Sequence, residues 1–281
     1  MTRIILTGAS GFIGKHLAPA LRKSGHEVFE ASSRSGDIAE RSTWIKFPKA
    51  ELVINLAGKT YVPDSWSDPT SFLKCNLLGT IEALNYCKTH NARLIFLSSY
   101  LYGNPKSLPI LETAALHATN PYALSKKLAE EACQFYYDSF GINVTILRPF
   151  NVYGPGQPAF FLIPSIIHQA HGETEIKVQD LEPKRDYIFI SDLIDAILKA
   201  TKPLKGINIF NIGSGKSYSV ADVIHIIQKI KQTNLKVFSY TRRRTNEVMD
   251  TVADTTHAYK IIGWQPIIDL ETGLRITCNA K

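Results

Sequence analysis

Two groupings in this 281-residue chain have residue types and spacing that could do chemistry. Tyr122-Ala123-Leu124-Ser125-Lys126 sets a phenol and an ammonium at i and i+4, neighbours on one face of a helix. A free tyrosine has a pKa of about 10 and is a poor base at neutral pH. A neighbouring positive charge stabilises the phenolate, each unit of depression being worth about 1.4 kcal/mol. The second grouping is Thr7-Gly8-Ala9-Ser10-Gly11-Phe12-Ile13-Gly14, a G-x-x-G-x-x-G loop one residue longer than the usual dinucleotide fingerprint. Glycines at a strand-to-helix turn let the backbone approach a pyrophosphate, and the helix N-terminus adds N–H donors and a favourable dipole. Singly each is weak: a Tyr-x-x-x-Lys pair is usually a surface coincidence, and such glycines can serve packing alone. Together, with the hydroxyls of Ser98-Ser99 at a strand end, they point to a dinucleotide site beside a proton-transferring tyrosine.

The elements that must hold these groups are visible in the apolar pattern. Arg3–Thr7 reads as a buried strand running into the glycines, followed by an amphipathic helix from about Phe12 to Ser24, stopped by Gly25-His26. Glu27–Ala31 and Leu52–Leu56 are further strands, with Trp44-Ile45-Lys46-Phe47 as an abbreviated one between them. A long helix opens at Asp68-Pro69, a capping residue before a proline at the first helical position. Leu94–Leu97 is a strand, 120–139 a helix opened by Asn120-Pro121, and Val144–Leu147 a strand. Such alternation argues for a parallel, doubly wound α/β sheet. After Arg148 prolines and glycines crowd together (Pro149, Gly154, Pro155, Gly156, Pro158, Pro164), marking where the chain leaves its first domain. Beyond come a helix near 160–171, strands near 176–179 and 187–190, a helix opened by Ser191-Asp192, a strand over 208–211 and helices near 219–231 and 270–278. The length suits two modest domains or one large interleaved one. The expected division is a Rossmann-like cofactor domain over about 1–150, with part of 186–215 returning to it, and a smaller α/β substrate-binding region mainly in 151–281.

Composition narrows the function classes. With 44% hydrophobic and 20% charged residues the chain is not disordered. No apolar run approaches a membrane span, and the opening residues enter a strand directly, so no signal peptide is expected. Cys75, Cys87, Cys133 and Cys278 form no C-x-x-C pair, which argues against a metal site or a disulfide framework. A cytoplasmic location is the expectation. The net charge of +7 permits nucleic acid as a partner without requiring it. The dense basic runs, Lys184-Arg185 and Arg242-Arg243-Arg244, are short and lack interleaved aromatics, so a small polyanion is the better match and no nucleic acid is expected.

These residues together resemble the extended short-chain dehydrogenase/reductase family, in particular its NAD-dependent epimerase/dehydratase branch acting on nucleotide sugars. The resemblance covers nearly the whole chain. It implies a cofactor site formed by Gly8, Ser10, Gly11, Phe12, Ile13 and Gly14, by Leu56, Ala57 and Gly58 in the segment like the family's fourth strand, and by Asn76, Tyr122 and Lys126. Leu97-Ser98-Ser99-Tyr100-Leu101-Tyr102-Gly103 matches the segment whose catalytic Ser or Thr falls four residues before the tyrosine of Tyr-Gly, hence Ser98; Ser99 receives no role. Tyr122 would donate the proton, Ser98 would hydrogen-bond the reacting oxygen, and Lys126 would lower the phenol pKa and hold the nicotinamide ribose. Arg148-Pro149-Phe150-Asn151 resembles the entry to the substrate domain, implying that Asn151 touches the sugar nucleotide. Arg185-Asp186-Tyr187 matches the family's Arg-Asp-Tyr motif, making Arg185 the implied diphosphate ligand, and Arg244 occupies the second phosphate-arginine position. A homodimer through the 69–89 and 120–139 helices is a family expectation.

Departures from the family carry information. NAD-preferring members place an aspartate at the end of the second strand for the ribose 2′-hydroxyl. Here Ser32 stands at that position, followed by Ser33 and Arg34, hydroxyls and a guanidinium suited to a 2′-phosphate. NADP(H) is therefore preferred and NAD(H) remains open, because Glu30 could instead be the strand-end residue. Asp37-Ile38 would serve as the adenine-contacting pair. Dehydratases carry Asp-Glu immediately after the catalytic hydroxyl, where this chain has Ser99-Tyr100, so dehydration is not expected. The leading expectation is a 4-ketoreductase of a nucleotide-activated deoxysugar, the overall pattern looking most like GDP-4-keto-6-deoxymannose reductases. The alternative is an NAD-dependent nucleotide-sugar 4-epimerase, which would use the same residues.

Overall fold

The computed structural model describes residues 1–241 and 247–280. In chain order the elements of the first half are β1 (Arg3–Thr7), α1 (Phe12–Lys23), β2 (Glu27–Ala31), α2 (Arg41–Trp44), β3 (Leu52–Asn55), α3 (Val62–Ser67), α4 (Pro69–Phe72), a π-helical section over Leu73–Leu78, α5 (Gly79–His90), β4 (Arg93–Leu97), α6 (Pro121–Phe140) and β5 (Val144–Pro149). There follow β6 (Asn151–Tyr153), α7 (Leu162–Gly172), β7 (Glu175–Val178), β8 (Lys184–Phe189), α8 (Ile190–Ala200), β9 (Ile207–Ile212), β10 (Ser217–Ser219), α9 (Val220–Lys231), β11 (Lys236–Ser239), α10 (Thr256–Ile262) and α11 (Leu270–Asn279).

The main sheet runs β2-β1-β3-β4-β5-β9, each pairing parallel. Its strands are short and rich in Ile, Leu, Val and Phe because both faces are covered. Side chains alternate between them: Ile4, Leu6 and Ile54 pack with Leu17 and Leu21 of α1 and Leu193 and Ile197 of α8. Ile5, Val53 and Phe96 pack on the other side with Ala83 and Cys87 of α5 and Ala129 and Cys133 of α6. The winding reverses at β1, with β2 on one side and β3 on the other, so the crevice beyond the carboxyl ends of β1 and β3 is the topological switch point. Two smaller sheets, β10-β8-β6 and β11-β7, lie outside the main one.

Local capping chemistry set several boundaries as the sequence suggests. The Asn120 carboxamide accepts from the Ala123 N–H at 2.8 Å at the start of α6, and Gly141 ends it with φ +70°. Asp68 likewise accepts from the Ser71 N–H at 3.2 Å. Three expectations need correction. The abbreviated strand at Trp44–Phe47 does not form: Arg41–Trp44 is a short helix, with the Trp44 indole N–H donating to the Ile38 carbonyl at 2.8 Å and its ring buried. Leu52–Asn55 is therefore the third strand of the chain, and it pairs directly with β1. The single helix expected from Asp68 is broken into α4, the π section and α5. Ser191-Asp192 do not open α8, which begins at Ile190; the buried Asp192 carboxylate instead accepts from the Ile267 and Ile268 N–H groups at 3.1 and 3.0 Å.

Candidate active site

The glycine loop sits at the switch point with the cradle a pyrophosphate needs. Gly8 has φ +68°, and a Cβ there would lie 2.8 Å from the Ala57 nitrogen, so β1 and the segment after β3 approach as closely as backbone allows. A Cβ on Gly14 would lie 2.3 Å from the Gly8 carbonyl oxygen, which makes glycine obligatory where α1 crosses the loop. At the N-terminus of α1, Gly11 offers no side-chain cap and the first turn carries no acidic residue, leaving its N–H groups and dipole to an anion.

Beyond β2, Ser32, Ser33 and Arg34 follow the last strand residue, Ala31, whose carbonyl accepts from the Ala9 N–H of the glycine loop at 3.3 Å. The Ser32 hydroxyl accepts from the Arg34 N–H at 3.3 Å, and Ser33 and Arg34 are exposed. Glu30 is exposed and pairs with Arg22 of α1 at 2.7 Å. Asp37 pairs with Lys74 at 2.9 Å, and the Ala39 N–H and the Lys74 ammonium hold its carboxyl below the usual range. Ile38 is buried; a Cβ on Gly79 would lie 2.6 Å from its Cδ1.

A chain of buried hydrogen bonds ties the glycine loop to α6. The Thr7 hydroxyl donates to Asn55 Oδ1 at 2.6 Å and accepts from the Ala57 N–H at 3.1 Å. Asn55 Nδ2 donates to the Thr80 hydroxyl at 3.1 Å, which donates to the Asn76 carbonyl at 2.7 Å. Asn76, carried by the π section, accepts from the Lys59 N–H at 2.9 Å and donates to the Lys59 carbonyl at 3.0 Å and the Ser125 hydroxyl at 2.8 Å. Ser125 in turn donates to the Tyr122 carbonyl at 2.7 Å. Gly58 lies under this network, since a Cβ there would sit 2.8 Å from Asn76 Oδ1 and 3.4 Å from Lys126 Nζ. Leu56 is half-buried at the edge of the core. The network brings Ala57, Gly58, Asn76, Tyr122 and Lys126 together. The sequence assigned no role to Thr7, Asn55, Thr80 and Ser125, short polar residues with partners 25 to 50 positions away.

Of the reactive groups, Ser98 and Lys126 are buried and Tyr122 is half-buried. Ser98, just past the end of β4, is 4% exposed, and its hydroxyl oxygen has no hydrogen-bond partner among the described residues. Burial pushes the Tyr122 phenol up to about 12, against a contrary pull from the Ser99 side chain. Lys126, 3% exposed, donates to the Leu97 carbonyl at 2.8 Å and lies 4.7 Å from the centre of the Phe96 ring; burial pulls its pKa down to about 8. Burial thus moves the phenol up, so that it carries its proton at neutral pH. Ser99, given no role from the sequence, has its side chain near enough to Tyr122 to oppose that rise.

On the substrate side Asn151 opens β6. Its Nδ2 donates to the Asp186 carbonyl at 3.0 Å and its Oδ1 accepts from the Tyr100 hydroxyl at 3.1 Å. Asp186 is fully buried and accepts from the Ser214, Gly215 and Ala253 N–H groups at 2.6, 2.9 and 3.0 Å, fastening β8 to two other segments. Arg185 pairs with Glu247 and donates to the Val248 carbonyl at 2.6 Å and the Lys184 carbonyl at 2.8 Å. Its donors are thus turned toward the protein, and a diphosphate would have to draw them away. Arg244 lies outside the described residues. Beneath the site Arg148 makes a bidentate pair with Glu130 of α6, at 3.0 Å from Nε to Oε1 and 2.6 Å from Nη2 to Oε2, and donates to the Tyr102 hydroxyl at 2.9 Å. This buried pair locks α6 onto β5 and so fixes the helix that carries Tyr122 and Lys126.

The residues present fit a nicotinamide dinucleotide: a close-approach cradle at a helix N-terminus, a buried Ser98 hydroxyl without a partner among the described residues, and a phenol that carries its proton. Comparison with known proteins agrees. The chain is 31% identical to the GDP-6-deoxy-D-mannose reductase of Pseudomonas aeruginosa, with 97% of this chain and 95% of that protein covered. Among solved structures, the Thermotoga maritima UDP-glucose 4-epimerase with UDP-glucose superposes with a TM-score of 0.92 at 26% identity, covering 98% of this chain and 97% of that one. The P. aeruginosa protein RMD complexed with NADPH gives a TM-score of 0.89 at 30% identity, covering 99% and 98%. The model of the NAD dependent epimerase/dehydratase family matches residues 4–213. With that match, and with relatives of these kinds over almost its whole length, the chain belongs to the NAD dependent epimerase/dehydratase family and is a nicotinamide-dependent enzyme of the extended short-chain dehydrogenase type.

Proposed function

We propose that this enzyme is an NADPH-dependent 4-ketoreductase of a nucleotide-activated deoxysugar. The observation that carries the reading is the end of β2 at Ala31, followed by Ser32-Ser33-Arg34, while Glu30 is engaged with Arg22 on α1. Hydroxyls and a guanidinium in that place favour a 2′-phosphate, where a carboxylate would repel it. A P. aeruginosa relative named as a GDP-6-deoxy-D-mannose reductase supports the reductive direction.

When bound, a reduced nicotinamide supplies the hydride that a carbonyl carbon accepts. The chain's own residues do the rest. Tyr122, kept neutral by burial, holds the proton that the carbonyl oxygen takes as charge builds on it, and the Ser98 hydroxyl donates a hydrogen bond to that oxygen. Lys126 would hold the nicotinamide ribose, and the glycine loop with the N-terminus of α1 would hold the pyrophosphate. Asp37 and Ile38 would hold the adenine. Asn151, Arg185 and Arg244 bind the sugar nucleotide, its diphosphate drawing the Arg185 guanidinium away from Glu247. The substrate region comprises 151–185 and 216–281. A homodimer would cover Leu78, Leu124 and Phe135, exposed apolar residues of the π section and α6.

The test is incubation with NADPH and a panel of 4-keto nucleotide sugars, followed by mass spectrometry. A product two mass units heavier, formed at the expense of NADPH, is expected. The second reading, a 4-epimerase, is favoured by the likeness to the Thermotoga maritima epimerase. It predicts protein isolated with stoichiometric NAD and indifferent to NADPH, a result that would overturn the reductase reading.

A further inference from the structure

We propose that Tyr100 and Asn151 form a donor–acceptor pair that reads one hydroxyl group of the substrate's sugar, with Tyr100 as the positioning residue that sets the Asn151 carboxamide; the inference rests on the nucleotide-sugar reading above. Tyr100 lies two residues beyond Ser98, half-buried, its ring stacked on Phe150 with centroids 5.0 Å apart and planes 15° from parallel. Its hydroxyl donates to Asn151 Oδ1 at 3.1 Å. The other end of the carboxamide donates from Nδ2 to the Asp186 carbonyl at 3.0 Å. A backbone carbonyl only accepts, so the amide nitrogen must face Asp186 and the amide oxygen must face the phenol. Neither flip nor rotation satisfies both neighbours.

What this leaves over is specific. A phenol has one proton, spent on Asn151, and its oxygen keeps acceptor capacity. The Asn151 nitrogen has two N–H groups, of which one is spent on Asp186. One donor and one acceptor on bonded neighbours match a hydroxyl, which both accepts and donates. The pair also stands among polar groups that lack partners. Tyr100 is close enough to the half-buried Tyr122 and the buried Tyr187 to disfavour ionisation of both phenols, and the buried hydroxyls of Tyr187 and Ser98 have no partner among the described residues. Such groups are ordinarily hydrogen-bonded, and a polar substrate could supply the missing partners. Tyr100 occupies the place of the second acidic residue that dehydratases carry. A phenol committed to an amide oxygen is a binding group there, and dehydration has no base at that position.

Tyr100→Phe deletes the hydroxyl and keeps the stacked ring. Steady-state kinetics with the 4-keto nucleotide sugar that the wild type turns over should show KM raised about tenfold, with kcat within about twofold and NADPH affinity unchanged. Asn151→Ala should show a similar rise. The double variant Tyr100→Phe/Asn151→Ala should be no worse than Asn151→Ala alone, as expected when one residue acts through the other. An unchanged KM in Tyr100→Phe, losses that multiply in the double variant, or a fall in kcat matching the rise in KM would each overturn the proposal. A wild type that binds NADPH yet neither binds nor turns over any nucleotide sugar brings down the underlying reading instead.

Discussion

Lys126→Met should make the protein more stable while abolishing its activity. The ammonium is 3% exposed, satisfied by the Leu97 carbonyl at 2.8 Å, and burial pulls its pKa from 10.5 to about 8. The sign follows from proton counts. Between about pH 8 and 10.5 the unfolded chain binds a proton at this lysine that the folded chain does not. Stability therefore rises with pH across that window and is lost as pH falls through 8. A gap of about 2.5 pH units, at about 1.4 kcal/mol each, makes the charged lysine cost roughly 3 kcal/mol at pH 7. Methionine removes that cost but leaves the Leu97 carbonyl without its donor, a loss of about 1 kcal/mol. The net gain at pH 7 is about 2 kcal/mol, or roughly 4–8 °C in Tm for a chain of this size. Urea denaturation of both proteins at steps from pH 7 to 10.5 gives the answer, because every other titrating group is common to the two. The variant's advantage should shrink as pH rises and vanish or reverse by 10.5. A variant less stable than wild type at pH 7, or an advantage that does not change with pH, would refute the reasoning.

Tyr122→Phe should lower turnover by at least ~10²-fold, the usual scale for a general acid, with the fold and NADPH binding intact; near-full activity in a spectrophotometric assay would remove the tyrosine from the chemistry. Arg34→Ala should erase most of a roughly ten- to hundredfold preference for NADPH over NADH, measured by fluorescence titration with both cofactors; a preference for NADH in the wild type would return the ribose to Glu30. Arg185→Ala and Arg244→Ala should each weaken nucleotide-sugar binding roughly ten- to hundredfold with little effect on cofactor, and calorimetry showing unchanged sugar-nucleotide affinity in both would mean the diphosphate site is elsewhere. Glu130→Gln should destabilise by about 3–5 kcal/mol, because it leaves the Arg148 guanidinium buried without its counter-charge; a loss under 1 kcal/mol in urea denaturation would contradict the role given to this pair.

Residues 3–31 could be read from the sequence alone almost to the residue, and so could the start and end of α6. Their determinants are local: alternating or helical apolar spacing, a cap at Asn120, glycines at 8, 25 and 141 where the chain needs positive φ. The spacing of Tyr122 and Lys126 is likewise a one-turn property of the chain. Other features depended on contacts that sequence distance hides. Trp44 closes a helical turn because its indole reaches the Ile38 carbonyl and its ring is buried against Tyr86, 5.7 Å away, which outweighs the strand-like run Trp44–Phe47. Asp192 serves the 267–268 backbone rather than its own helix. Tyr100 and Asn151, 51 positions apart, meet because the segments beyond the neighbouring strands β4 and β5 lie side by side. Burial, finally, is a property only the packed molecule has. It raises the Tyr122 phenol and depresses the Lys126 ammonium, because taking either charge out of water is costly.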